Sequence, residues 1–204
     1  MQKETKFNTL QYVLIALLIF GFVFGFFMSQ GVFGDVRIGV NVATTAGGGS
    51  VDLEDGLVGH WTFDGPDMLQ NAADRSGQGN TGYLQGFTST TTIRGKIGQA
   101  LQFDGSNNYI NIGTSLSPTS NFSVSAWVKD ASVDTDQQVI SKGYDAVNTQ
   151  WELKTTTTNG NISFQTFDGT NQGVQSISTL KNNVWAHIVG TYDGTTWRIY
   201  RDGS

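Results

Sequence analysis

Four aromatic-Asp-Gly triplets punctuate the chain: Phe63-Asp64-Gly65, Phe103-Asp104-Gly105, Phe167-Asp168-Gly169 and Tyr192-Asp193-Gly194, with Arg201-Asp202-Gly203 as a looser copy. Repeated carboxylates beside glycine suit two kinds of chemistry. They can offer oxygen ligands to a hard cation or acceptors to a sugar, or they can only turn the chain. Asp hydrogen-bonds its own backbone two residues on, and Gly adopts positive φ without cost. The irregular spacing of the triplets excludes a solenoid or propeller repeat. Asp193-Gly194 lies between "VWAHIVGTY" and "TWRIY", two β-rich runs, and predicts a hairpin.

Other reactive groups are sparse. After the apolar N-terminal run only two glutamates occur, Glu54 and Glu152, and "WELKTTTT" around Glu152 holds no second acid. His60 and His187 sit inside strand-like runs with no partner in sequence to make either a general base. There is no cysteine, which excludes a thiolate nucleophile, a disulfide scaffold and a zinc-thiolate site. The net charge is −5 and no basic run exists, so nucleic acid is excluded as a partner. Trp127 falls on the otherwise polar face of its strand, beside Ser123, Ser125 and Lys129. It is a candidate for stacking on a sugar ring, or else for burial under a neighbouring loop or sheet. The other tryptophans, Trp61, Trp151, Trp185 and Trp197, fall in strand-like runs and suit core or edge packing.

These residues must be positioned by strands. In "FSVSAWVK", Phe122, Val124, Ala126 and Val128 share one face, the period of a half-buried strand. "YINIG" pairs Ile110 with Ile112, and "NISFQTF" pairs Ile162 with Phe164. With 26 glycines, 2 prolines and many aromatics, the region from Leu57 onward predicts short strands joined by turns, a sandwich or barrel.

The N-terminus reads differently. Leu10 to Phe33 is nearly continuous apolar sequence, preceded by Lys3 and Lys6. It is longer than the ~7–15 apolar residues of a cleaved signal and long enough to span a bilayer as one helix. The expectation is a signal anchor: a single-pass membrane protein with residues 1–33 as cytoplasmic stub and transmembrane helix, residues 34–56 as a Gly/Thr-rich linker, and residues 57–204 outside the cytoplasm, at the cell surface. A long cleaved signal is the competing reading.

The phrases "GLVGHWTFDG", "DRSGQGNTGYLQG", "GKIGQALQFDGSNNYINIG", "NFSVSAWVK", "VISKG" and "NVWAHIVGTYDGTTWRIYRDG", in this order, resemble the laminin-G-like, concanavalin-A-like lectin/glucanase family. The resemblance implies an all-β, two-sheet antiparallel jelly-roll sandwich behind the transmembrane helix. It further implies that the domain is incomplete at its C-terminus, because members continue past "IYRDG" to an acidic "DDVRIY"-like closing strand. Members often hold one structural calcium, and by position Asp64, Asp74 and Asn80 are its matching ligands here, with turn and cap roles as the alternative for the two aspartates. Asp104, Asp168 and Asp193 are left as turn residues. The fold also hosts glycoside hydrolases with a Glu-x-Asp-x-x-Glu strand, which this chain lacks, so no catalytic residue and no enzyme is expected. The implied function is recognition or adhesion, with a glycan or a cell-surface or matrix protein as partner, Trp127 as ligand contact and the membrane engaged through residues 10–33. The alternatives are a structural spacer of a surface protein and a lectin-like accessory domain of a glycoside hydrolase.

Overall fold

The computed structural model describes residues 24–27, 31–40, 54, 56–68, 71–88, 92–114, 116, 121–132, 136–143, 150–156, 160–167, 171–176 and 179–204. These form fifteen strands: β1 (Phe24–Phe27), β2 (Gly31–Val40), β3 (Leu57–Trp61), β4 (Asn71–Ala72), β5 (Gly82–Gln85), β6 (Thr92–Arg94), β7 (Gln99–Gln102), β8 (Tyr109–Asn111), β9 (Phe122–Asp130), β10 (Gln137–Lys142), β11 (Trp151–Thr155), β12 (Ile162–Phe167), β13 (Asn171–Gln175), β14 (Ala186–Tyr192) and β15 (Trp197–Arg201). They make two sheets, ordered β13-β12-β11-β10-β1-β8-β5-β4 and β15-β14-β9-β2-β7-β6, with β3 paired to β2. The all-β, two-sheet antiparallel sandwich expected from the sequence is what the structure shows.

The alternation read from β9 holds residue by residue: Phe122, Val124, Ala126 and Val128 are buried and the intervening residues are not. They meet Trp151, Leu153, Ile162 and Phe164 from the opposing sheet. Phe122 packs against Trp151 and Phe164 at ring-centroid distances of 5.1 and 5.6 Å, and Trp197 closes this end at 4.8 Å from Phe164. Gly190 on β14 lets that cluster approach its backbone, since a Cβ there would lie 2.7 Å from the Phe164 ring. Trp61 and Trp151 are core residues as expected, while Trp185 and Trp197 are half-buried.

The N-terminal expectation is corrected where the structure describes it. Of the segment 10–33 expected as one transmembrane helix, residues 24–27 and 31–33 are strand, in β1 and β2. Residues 34–40 of the expected linker are also strand. The rest of the apolar segment and nearly all of the rest of the linker lie outside the described residues. Among the described residues no helix is long and apolar enough to cross a membrane. The physical reason is local as well as tertiary. "FGFF" and "GVFG" combine aromatics and Val, which favour strands, with Gly, which weakens a helix. Both segments take central positions with neighbours on either side: β1 lies between β10 and β8, and β2 between β9 and β7. Val36 and Ile38 are fully buried there, which stabilises the sheet by about 1.5–3 kcal/mol for each side chain. Within β2, Val36, Arg37 and Ile38 run along β9, away from the edges of the sheet.

Candidate functional site

The chain leaving β3 makes an abrupt turn. Phe63 has φ 60°, a left-handed conformation that is costly for a bulky residue. The turn sends the Phe63 ring into the core and leaves Asp64 at the surface rim. A short 3₁₀ turn, Gly65–Asp67, follows, with Pro66 in its first turn. It brings Asp67 back inward to 5% exposure. One Asp67 oxygen accepts the Thr62 hydroxyl at 2.6 Å, and the other accepts the Arg75 guanidinium in an ion pair. The Arg75 hydrogen bond holds the Asp67 carboxyl below the usual carboxylate range against the opposing effect of burial. Asp64, Gly65, Asp67, Arg75 and Gln99 together line an open surface depression.

Asp74 lies in the "DRSGQGN" loop and is closed in on itself. Its Oδ1 accepts the backbone N–H of His60 and of Ser76, both at 2.9 Å, and its Oδ2 accepts the Ser76 hydroxyl and the Asn80 N–H, both at 2.8 Å. Burial raises its pKa, but these bonds outweigh burial and leave it lowered. The Asn80 side chain donates to the Val58 carbonyl, and the Asn80 carbonyl accepts the Trp61 indole N–H at 2.9 Å. Asp74 and Asn80 are therefore brought together as the clasp that pins this loop to β3.

Asp64 is held elsewhere. Its Oδ1 accepts the Gln99 N–H at 2.7 Å across the β6–β7 turn. Gly98, at φ +53°, makes room for it, since a Cβ there would sit 2.3 Å from that oxygen. The three residues expected to share a calcium ion thus split into a loop clasp and a rim acid, and among the described residues no group of three or more His, Cys, Asp or Glu is placed to hold a metal. These residues do not fit the expected ion. Asp67, which sequence reading did not single out, is the buried acid of the rim.

The β6–β7 turn joins this depression to Trp127. Gly95 N–H closes the turn on the Gly98 carbonyl at 3.0 Å. Lys96 reaches the Trp127 ring, its ammonium 5.5 Å from the centroid. Ile97 at the tip is 62% exposed, and Gln99 is the anchor on Asp64. Trp127 is half-buried and packs on His187 of β14, ring centroids 5.0 Å apart. The tryptophan expected on the polar face of β9 is there, with one cationic and one aromatic neighbour.

The remaining triplets behave as turns where they are described. Asp104 Oδ1 accepts the N–H of Ser106, Asn107 and Asn108. Asp193 accepts Thr195 and Thr196 N–H groups and the Arg198 guanidinium in the β14–β15 hairpin. Hydrogen bonds from Arg198, Thr196 and Thr195 hold the Asp193 carboxyl far below its usual range. Asp202 Oδ1 accepts the His187 N–H. Asp168 lies outside the described residues.

Glu152 has a neighbour that sequence reading missed. On the outer face of β11, Lys154 bridges Glu152 at 2.9 Å and Asp136 at 3.4 Å. Glu152 is 4% exposed, and its oxygens also accept Gln138 at 2.7 Å and Gln165 at 2.8 Å. A hydrolytic pair needs one carboxyl free to give up a proton across an open cleft. Glu152 is instead a buried acceptor tied by three donors.

No curated protein and no solved structure matches the chain. Residues 104–204, which carry β8 through β15 with Trp127, Glu152 and His187, are similar to the Laminin_G_3 family model, the concanavalin A-like lectin/glucanases superfamily.

Proposed function

We propose that the protein is a non-catalytic recognition module, displayed outside the cytoplasm, which binds glycan or protein ligands on the surface around the β6–β7 turn. One observation carries this reading. The turn sets an exposed apolar tip, Ile97, between an aromatic platform, Trp127 with His187, and a polar depression offering a carboxylate, a guanidinium and an amide from Asp64, Arg75 and Gln99. Apolar faces beside a few fixed donors and acceptors are what a sugar ring or a peptide requires. Membrane tethering would run through the apolar segment expected at residues 10–33, of which residues 10–23 lie outside the described residues.

The test is binding of the full chain to immobilised oligosaccharides and matrix proteins, with Trp127→Ala and Ile97→Ser as variants. Binding that falls at least tenfold in Trp127→Ala and is kept in Glu152→Gln supports the reading. No ligand in either class, or binding indifferent to Trp127 and Ile97, sinks it. Release of reducing sugar from a β-glucan by the wild type would replace it with a hydrolase. Membrane fractionation tests the tether, and recovery of the protein in the soluble fraction contradicts it.

A further inference from the structure

A hard cation takes about six to eight oxygen ligands, and the residues expected to supply them here are already committed. The four donors on Asp74 and the clasp through Asn80 would have to be undone before either could ligate. The acid that needs a cation is Asp67. It is almost fully buried, stands near Asp64 in the wall of the same depression, and would carry uncompensated charge without a partner. That partner is covalently part of the chain. Arg75 is fixed one residue beyond Asp74, its backbone N–H donating to the His60 carbonyl at 2.7 Å. From there its guanidinium reaches Asp67, while its side chain remains 55% exposed toward the depression.

We infer that Arg75 is the built-in counter-cation of this rim: it neutralises Asp67 where a divalent ion would otherwise be needed, and it makes the fold independent of calcium. The "DRSGQGN" loop serves this role twice. Asp74 and Asn80 fix the loop to β3, and the fixed loop delivers Arg75 to Asp67. The inference concerns the stability of the fold and does not rest on the ligand-binding reading.

The experiment is thermal unfolding of the full chain at neutral pH, with calcium chloride alone or with a chelator, for wild type, Arg75→Gln, Arg75→Lys and Arg75→Gln/Asp67→Asn. The wild-type midpoint is expected to be the same in both conditions. Arg75→Gln should lose several degrees and recover part of that loss with calcium. Arg75→Lys should keep most of the wild-type midpoint, and the double variant should show no calcium response. A wild-type midpoint raised by calcium overturns the inference, and so does an Arg75→Gln deficit that calcium does not touch. If Arg75→Gln does not fold, the wild-type response and the Arg75→Lys midpoint still decide: an unresponsive wild type with a stable Arg75→Lys supports the role, and any other combination ends it.

Discussion

Asp67 and Asp130 are buried to nearly the same degree, 5% and 4% exposed, and their carboxyls are driven in opposite directions. At Asp67 the Arg75 guanidinium and the Thr62 hydroxyl satisfy both oxygens, and the pKa is lowered. At Asp130, at the end of β9, Oδ1 accepts the Ser132 N–H at 2.8 Å, while Oδ2 is buried with no hydrogen-bond partner among the described residues. Burial dominates there, and the pKa is raised. Burial alone therefore does not set the behaviour of an acid in this sandwich. A cation delivered by a fixed loop does.

The comparison breaks first at Arg75. Arg75→Gln should destabilise the fold the most, because it leaves the buried Asp67 charge without its cation, though solvent at the half-exposed guanidinium softens the loss. Urea unfolding at neutral pH measures it. Thr62→Val removes a hydrogen bond to a charged group and should cost about 1.5 kcal/mol by the same measurement. Asp130→Asn should stabilise by about 1 kcal/mol at neutral pH, since it removes a charge that burial opposes. Arg75→Lys keeps the charge and loses the fork, and should cost the least of the four.

The two acids also differ in pH dependence. A lowered pKa means that the contribution of Asp67 is complete above its ordinary value of 3.8 and is lost as pH falls through the folded value. A raised pKa means that the penalty at Asp130 grows as pH climbs above 3.8 and vanishes in acid. The gain from Asp130→Asn should accordingly be gone as pH approaches 4, whereas the loss from Arg75→Gln should go on fading below 4, as the wild-type Asp67 protonates. Urea midpoints between pH 3 and 7 separate the two slopes, and parallel slopes would dissolve the comparison.

Much of the sandwich was legible from local pattern. The period-two run of β9 and the Asp-Gly hairpin before β15 depend on residues that are neighbours in sequence, and both stand. β1 and β2 were not legible, because an apolar run without charge has the same composition whether it lies in a bilayer or between two strands. Apart from β3, their partners β7, β8, β9 and β10 come about seventy or more residues later. The site followed the same rule. Asp104 and Asp193 take their donors from within five residues and were read as turns, which the structure bears out. Asp64 takes its donor from Gln99, 35 residues away, and Lys96 covers Trp127 from another strand pair. The Asp67–Arg75 pair spans only eight positions, yet a 3₁₀ turn, a strand and a clasped loop must form to close it.

The most direct measurement of the Arg75 account is the titration of the Asp67 carboxyl by carbon-13 NMR, in wild type and in Arg75→Gln. The account predicts a wild-type value below the ordinary carboxylate range that calcium does not shift, and a value raised above that range when Arg75 is replaced. An Asp67 that titrates normally with Arg75 in place, or that moves when calcium is added to the wild type, would contradict it.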